Sequence, residues 1–270
     1  MKFDVVIPSL ANETTRPYLK LCVESLRASG FGGKIIVVTN GAEHPLLDDI
    51  KGITRLHTKD QGQCVATNIG AQLVTADYIL VSNDDMYFAP GWDKHLRFDY
   101  PVFSPNLIEP VNNNGSADPF LKLDAGYNID EFDKGEVDRF VKGNTDHSEE
   151  TGFNLPFFIE REFWNFLGGY DRAFDPWGSN SDTDLQTRIN LAGVTPMRLR
   201  GVLVYHFSNK SGTFDGTHQD FYQNNIEYFK DKFGFDRDEL GSDVWYNKDM
   251  IPTDLEKIKY KQEKYDFNNS

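Results

Sequence analysis

The sequence predicts an α/β fold, a mostly parallel, Rossmann-like sheet flanked by helices. Three observations predict it. Short apolar runs of strand length alternate with stretches of helical period. The early apolar runs end in polar clusters, the places where open parallel sheets bind ligands. The chain is 39% hydrophobic and 14% aromatic, enough for a packed core over 270 residues.

The elements follow in order. Phe3 to Pro8 is an apolar strand stopped by proline. Asn12 to Thr15 offer N-cap chemistry and Pro17 suits a first helical turn. Leu19, Cys22, Val23 and Leu26 then mark one helical face, closed by Gly30. Lys34 to Thr39 is a second strand ending at Asn40-Gly41, and a third lies near Thr54 to His57. A helix carrying Val65, Ile69 and Leu73 leads to the strand Tyr78 to Val81, which runs into Ser82-Asn83-Asp84-Asp85. Residues 112–150 are polar and acidic with little periodicity, which predicts a long loop, either functional or a solvated insertion. Order returns with a strand at Leu155 to Ile159, a helix from Glu160 to Leu167 and another from Asp182 to Ala192. A strand from Val202 ends on His206, and an aromatic helix with Phe221, Tyr222, Tyr228 and Phe229 precedes a charged tail.

Bulk properties narrow the function. No apolar run reaches the ~18 residues that span a bilayer, and Met1-Lys2-Phe3-Asp4 enters a strand without a leader pattern. A cytoplasmic location is expected. Cys22 and Cys64 stand apart from any CxxC or Cys/His cluster, as buried thiols do. A net charge of −14 argues against broad capture of nucleic acid or anionic membrane. It leaves carboxylates with which a bound cation could hold a phosphate ligand. One chain does not fix the oligomeric state.

Three features carry chemistry. Adjacent carboxylates in Asn83-Asp84-Asp85 repel at a strand end unless a cation or hydrogen bonds offset them. By itself the motif also reads as a solvated turn. Asp182-Thr183-Asp184 opens a helix, where carboxylates either cap or serve as a positioned base. His206, closing a strand, could join a carboxylate in a metal site or lie satisfied at the surface.

In order and spacing these stretches resemble the family 2 glycosyltransferases of the GT-A fold. The resemblance rests on Val6-Ile7-Pro8-Ser9, Asn68-Ile69-Gly70, Asn83-Asp84-Asp85 in the place of the DXD motif, and Arg161-Glu162-Phe163-Trp164. It continues through Gly168-Gly169-Tyr170-Asp171, Ser181-Asp182-Thr183-Asp184-Leu185 and Tyr205-His206, spanning about residues 3–215. It implies transfer of a sugar from a nucleotide-diphosphate-sugar, a UDP-sugar favoured, to a glycan or other hydroxyl acceptor, with Mn2+ or Mg2+ as cofactor. Asp85 and His206 would bind the metal, and Asp182 would deprotonate the acceptor with inversion. Asn83 and Asp84 would lie by the ribose and metal, and Pro8, Ser9, Asn12, Asn40 and Asn68 on the nucleotide side. Trp177, Gly178 and Asp184 would lie near donor or acceptor sugar. Residues 1–110 would form the nucleotide-sugar half, 111–215 the acceptor and catalytic half, and 216–270 a helical extension.

The chain departs from the family pattern at Asn40, where an aspartate often reads the pyrimidine, at Thr67, Asn83 and Ser181. Asn40, Thr67 and Ser181 keep a non-catalytic nucleotide-sugar or glycan-binding module on the same fold as an alternative. A sugar nucleotidyltransferase is less well matched, because Ser9-Leu10-Ala11-Asn12 replaces the glycine-rich basic loop such enzymes carry. A dinucleotide oxidoreductase lacks its GxGxxG.

Overall fold

A computed structural model of the chain describes residues 2–45, 47–111, 120–210 and 218–236. Its first half follows the predicted alternation: β1 (Phe3–Ser9), α1 (Arg16–Ala28), β2 (Ile35–Asn40), β3 (Thr54–Thr58), α2 (Gln63–Ala71) and β4 (Tyr78–Val81). β1 pairs in parallel with β2 and β4, and β2 with β3, giving the order β3-β2-β1-β4. Residues of β1 and β2 are buried on both faces, as a sheet covered by helices requires. Val6, Ile36, Val38, Ile79 and Val81 pack on the side of α2. Val5, Ile7, Ile35, Val37 and Leu80 pack on the side of α1. Fully burying one such side chain contributes about 1.5–3 kcal/mol, so this alternation fixes the register.

Some details differ from the sequence reading. Pro8 does not stop β1; it stays in the sheet opposite Val38, and the strand ends at Ser9. Leu73 lies beyond the end of α2 and is 39% exposed rather than on its buried face.

The second half extends the same sheet through β5 (Met86–Tyr87), β6 (Val102–Pro110), β9 (Phe157–Glu160) and β10 (Met197–His206). β9 runs antiparallel between β4 and β6, joining the parallel β3-β2-β1-β4 to the parallel pair β6-β10, with β5 antiparallel at the edge, in the order β3-β2-β1-β4-β9-β6-β10-β5. The sheet is therefore mixed rather than uniformly parallel. α4 (Arg161–Leu167) and α5 (Ser181–Leu191) return to the α2 side, where Trp164, Leu185 and Ile189 join the core.

The long loop expected over 112–150 is overturned for its described part. Residues 112–119 lie outside the described residues. Beyond them come β7 (Leu121–Leu123), paired with β6, α3 (Lys134–Gly143), and β8 (Glu149–Thr151), paired with β10. The signal for α3 is local: the Asp133 carboxylate accepts from the backbone N–H of Glu136, a capping arrangement with glutamate three residues on. Val137 of α3 then packs with Tyr87 and Tyr205.

The predicted aromatic helix is α6 (Gln219–Phe233). Its Phe229 and Phe233, with Phe235 beyond it, enter the core of α2, α4 and α5. Phe221 and Tyr228 face outward, 43% and 36% exposed. The described part of the C-terminal segment is thus built into the domain. No helix among the described residues is long and apolar enough to cross a membrane.

Candidate active site

The carboxyl ends of β1, β2, β4 and β10 open into one cleft of about 490 Å3. Its floor holds Pro8, Ser9 and Asn40 from the first two strands and Asn83, Asp84 and Asp85 from the turn after β4. Trp177, Gly178 and Asp182 also line it, and His206 comes in from the end of β10. Among the described residues, four that are not glycine have positive φ, namely Ala11, Asn180, Ser208 and Asn209, and the last three line the cleft. Such backbone is costly and tends to gather at functional sites.

The carboxylates after β4 occupy different settings. Asp84 is buried and accepts a 2.5 Å hydrogen bond from the Ser9 hydroxyl. Burial and the neighbouring Asp85 push its carboxyl up to about 7, against the opposing pull of Ser9. Burial also pushes Asp85 up, but the charge and hydrogen bonding of His206 outweigh it and hold Asp85 below the ordinary range. Asp85 Oδ1 pairs with His206 Nε2 across 3.4 Å. Burial alone would lower His206; Asp85 on one side and Glu109 on the other raise it instead to about 10.

Asp182 stands at the start of α5, half-buried, lining the cleft. Burial raises its carboxyl to about 6, and a 2.5 Å hydrogen bond from the Tyr170 hydroxyl partly offsets that. Tyr170 is itself held by Asn68, whose amide donates to Tyr170 O at 2.8 Å and accepts from Tyr170 N at 2.9 Å. The clamp explains the preceding glycine: Gly169 has φ +72, and a Cβ there would come within 2.4 Å of Asn68 Oδ1.

Three residues expected at the ligand are placed elsewhere. Asn68 is the clamp just described and does not line the cleft. Asn12 is exposed, its Oδ1 accepting from the backbone N–H of Thr14 and Thr15 ahead of α1. Asp184 is fully buried, paired with Arg188 at 2.7 Å and Lys232 at 2.6 Å. Each step along a helix turns the side chain by about 100°. Asp182 and Asp184, two steps apart on α5, therefore point to roughly opposite faces, one to the cleft and one to the core.

The sequence reading missed other contributors. Gln61, Gln63, Asn180, Ser208 and Asn209 line the cleft, as do His218, Gln219 and Tyr222 around the start of α6. The His218 ring stacks on Trp177 with centroids 3.5 Å apart. Asn225 of α6 is buried and its Nδ2 donates to Phe174 O, Ser179 O and Ser179 Oγ, holding the loop that carries Trp177. Aromatic spacing announced the helix, but only the fold brings its polar residues to that loop. Asn225→Ala leaves these acceptors without their donor and should cost about 1–3 kcal/mol. Urea unfolding reads that loss; an unchanged midpoint would mean that α6 does not hold the loop.

The arrangement is one cleft lined by an ionisable carboxylate, Asp182, and by the Asp85–His206 carboxylate–imidazole pair. Residues 4–97 match the Glycosyl transferase family 2 model. The family 2 resemblance read from the sequence is shown over that stretch, which carries β1 through the carboxylates after β4. The fold is GT-A. Solved structures share it at low identity. GalNAc-T7 with UDP, GalNAc and Mn2+ matches 76% of this chain at 17% identity and TM-score 0.53. TarS of S. aureus, residues 1–349, with UDP-GlcNAc, matches 90% at 12% identity and TM-score 0.52. The mannosyltransferase PcManGT of Pyrobaculum calidifontis, with GDP-Man and Mn2+, matches 78% at 14% identity and TM-score 0.51. The matches cover 44%, 76% and 58% of those chains, respectively. No curated protein matches this chain in sequence. At these identities the GT-A likeness is one of fold.

Proposed function

We propose that this GT-A chain is a metal-dependent glycosyltransferase that moves a sugar from a nucleoside-diphosphate-sugar to an acceptor hydroxyl with inversion. The observation that carries the reading is Asp182, a cleft carboxylate raised to about 6, set in the same cleft as the Asp85–His206 pair. Solved structures of the same fold holding UDP, UDP-GlcNAc or GDP-Man support a nucleotide donor. Glycan or another hydroxyl compound is the acceptor class.

The residues present fit a divalent cation. Asp85 Oδ1 and His206 Nε2 stand 3.4 Å apart, so a cation that displaces the Nε2 proton would meet an oxygen and a nitrogen ligand. No group of three or more His, Cys, Asp and Glu side chains among the described residues could hold an ion, so the remaining ligands would be donor oxygens and water. Bound there, Mn2+ or Mg2+ would neutralise charge developing on the diphosphate leaving group.

The chain's own residues do the rest. Asp182 accepts the proton of the acceptor hydroxyl as its oxygen bonds to the anomeric carbon. The bond from that carbon to the diphosphate breaks, and its electron pair leaves with the phosphate. Attack opposite the leaving group gives inversion. Asn68 and Tyr170 hold the base in place. Asn40, fixed by Ser9 O and the Gly62 N–H, and Pro8 border the nucleotide end.

Calorimetric titration with UDP and GDP tests the donor site. At least one should bind well with Mn2+ and lose most of its affinity in chelator. Equal affinity in both conditions would remove the metal from the proposal.

A further inference from the structure

The register of the sheet places charged side chains in a row beside the cleft. β10 lies between β6 and β5, with Tyr205 opposite Ile108 on one side and His206 opposite Met86 on the other. The next residue of β6, Glu109, therefore stands opposite His206, while Asp85, in the turn just before Met86, reaches the His206 ring through its side chain. β7 extends the row, with Lys122 opposite Glu109. The contacts follow this order: Lys122 Nζ to Glu109 Oε2 at 3.1 Å, Glu109 Oε1 to His206 Nδ1 at 3.1 Å, and His206 Nε2 to Asp85 Oδ1 at 3.4 Å. Charge alternates along the row, from β7 through β6 and β10 to the turn before β5.

Glu109 is 3% exposed in a strand whose nine residues are all buried. A carboxylate there is costly unless it is paired and hydrogen-bonded. Lys122, at the rim, takes one oxygen. The other meets the imidazole, whose remaining nitrogen faces Asp85 Oδ1. A histidine ligates through one nitrogen, and a carboxylate accepting from the other fixes both the tautomer and the ring orientation.

We propose that Glu109 is a positioning residue for the cation site: it accepts the Nδ1–H of His206 and holds Nε2 toward Asp85. The proposal rests on the metal reading above and names a residue that reading does not need. Lys122 holds the second oxygen of Glu109 and keeps the first aimed at the ring.

The test is Mn2+ affinity, read as free Mn2+ by electron paramagnetic resonance at saturating nucleoside diphosphate, in full-length wild type, Glu109→Gln, Glu109→Leu and His206→Ala. Glu109→Leu should weaken Mn2+ binding about 10–100-fold, the usual range for loss of such a partner. Glu109→Gln should lose less, because its amide oxygen still accepts from Nδ1, and the near-isosteric change should leave metal-free thermal unfolding close to wild type. A purely structural role predicts the reverse, lower melting with unchanged Mn2+ affinity. Wild-type affinity in both Glu109 variants alongside a loss in His206→Ala would overturn the positioning role alone. Wild-type affinity in His206→Ala would overturn the metal site itself, and the role of Glu109 with it.

Discussion

Asp182→Asn should lower kcat at least ~100-fold while leaving donor affinity close to wild type, the scale of a lost general base. The substitution suits the question because the carboxamide oxygen can still accept the hydrogen bond that Tyr170 gives at 2.5 Å. Shape and clamp survive, and only proton affinity is removed. The same residue sets an acid limb. Burial raises the carboxyl to about 6, and a base works only when ionised. Above that pH it is ionised and active; below it, kcat/KM should fall tenfold per unit. The Tyr170 hydroxyl opposes the rise, so Tyr170→Phe should move the limb to higher pH. A profile flat through pH 5, or full activity in Asp182→Asn, would assign the base elsewhere.

Asp85→Asn carries the second large effect. The residue is 5% exposed, and its Oδ1 faces His206 Nε2 across 3.4 Å, the pair proposed to hold the cation. Metal stabilisation of a leaving phosphate is worth several kcal/mol, and each 1.36 kcal/mol is tenfold in rate, so turnover should fall on the order of 100- to 10,000-fold. The amide keeps the volume. His206 keeps Glu109 on its other nitrogen, so the fold should persist. In this variant the affinity for nucleotide should no longer respond to chelator. Undiminished, chelator-sensitive turnover would free Asp85 from any part in metal binding.

Much of this was legible because β1, β2 and β4 are continuous apolar runs ending in polar residues. That pattern implied a parallel sheet with Ser9, Asn40 and Asp85 at the carboxyl ends of its strands. The carboxylate opening α5 and the histidine closing β10 were visible as lone chemistry at element ends. What escaped depends on long-range pairing. Nothing local marks β9 as antiparallel, since an apolar run reads alike in either direction. Asn68 reads as a polar residue near the nucleotide, yet its partner is the backbone of Tyr170, 102 residues away. Asn12 carries turn chemistry that serves its own turn. Asp184 shares the motif of Asp182 but faces the core. Glu109 had a faint signal, a lone acid in an otherwise uncharged strand, and its meaning needed the register with β10. The α3 region was missed because its polar composition hid a capping signal at Asp133 and Glu136.

The most direct test of the central proposal is donor turnover. Purified protein is incubated with a panel of nucleoside-diphosphate-sugars, with Mn2+ or with chelator, and released nucleoside diphosphate is scored. The cleft chemistry predicts slow release from one donor class, dependent on metal and lost in Asp182→Asn and Asp85→Asn. Nucleotide binding with no release from any donor, with or without candidate hydroxyl acceptors, would contradict transfer and leave a binding module on the GT-A fold.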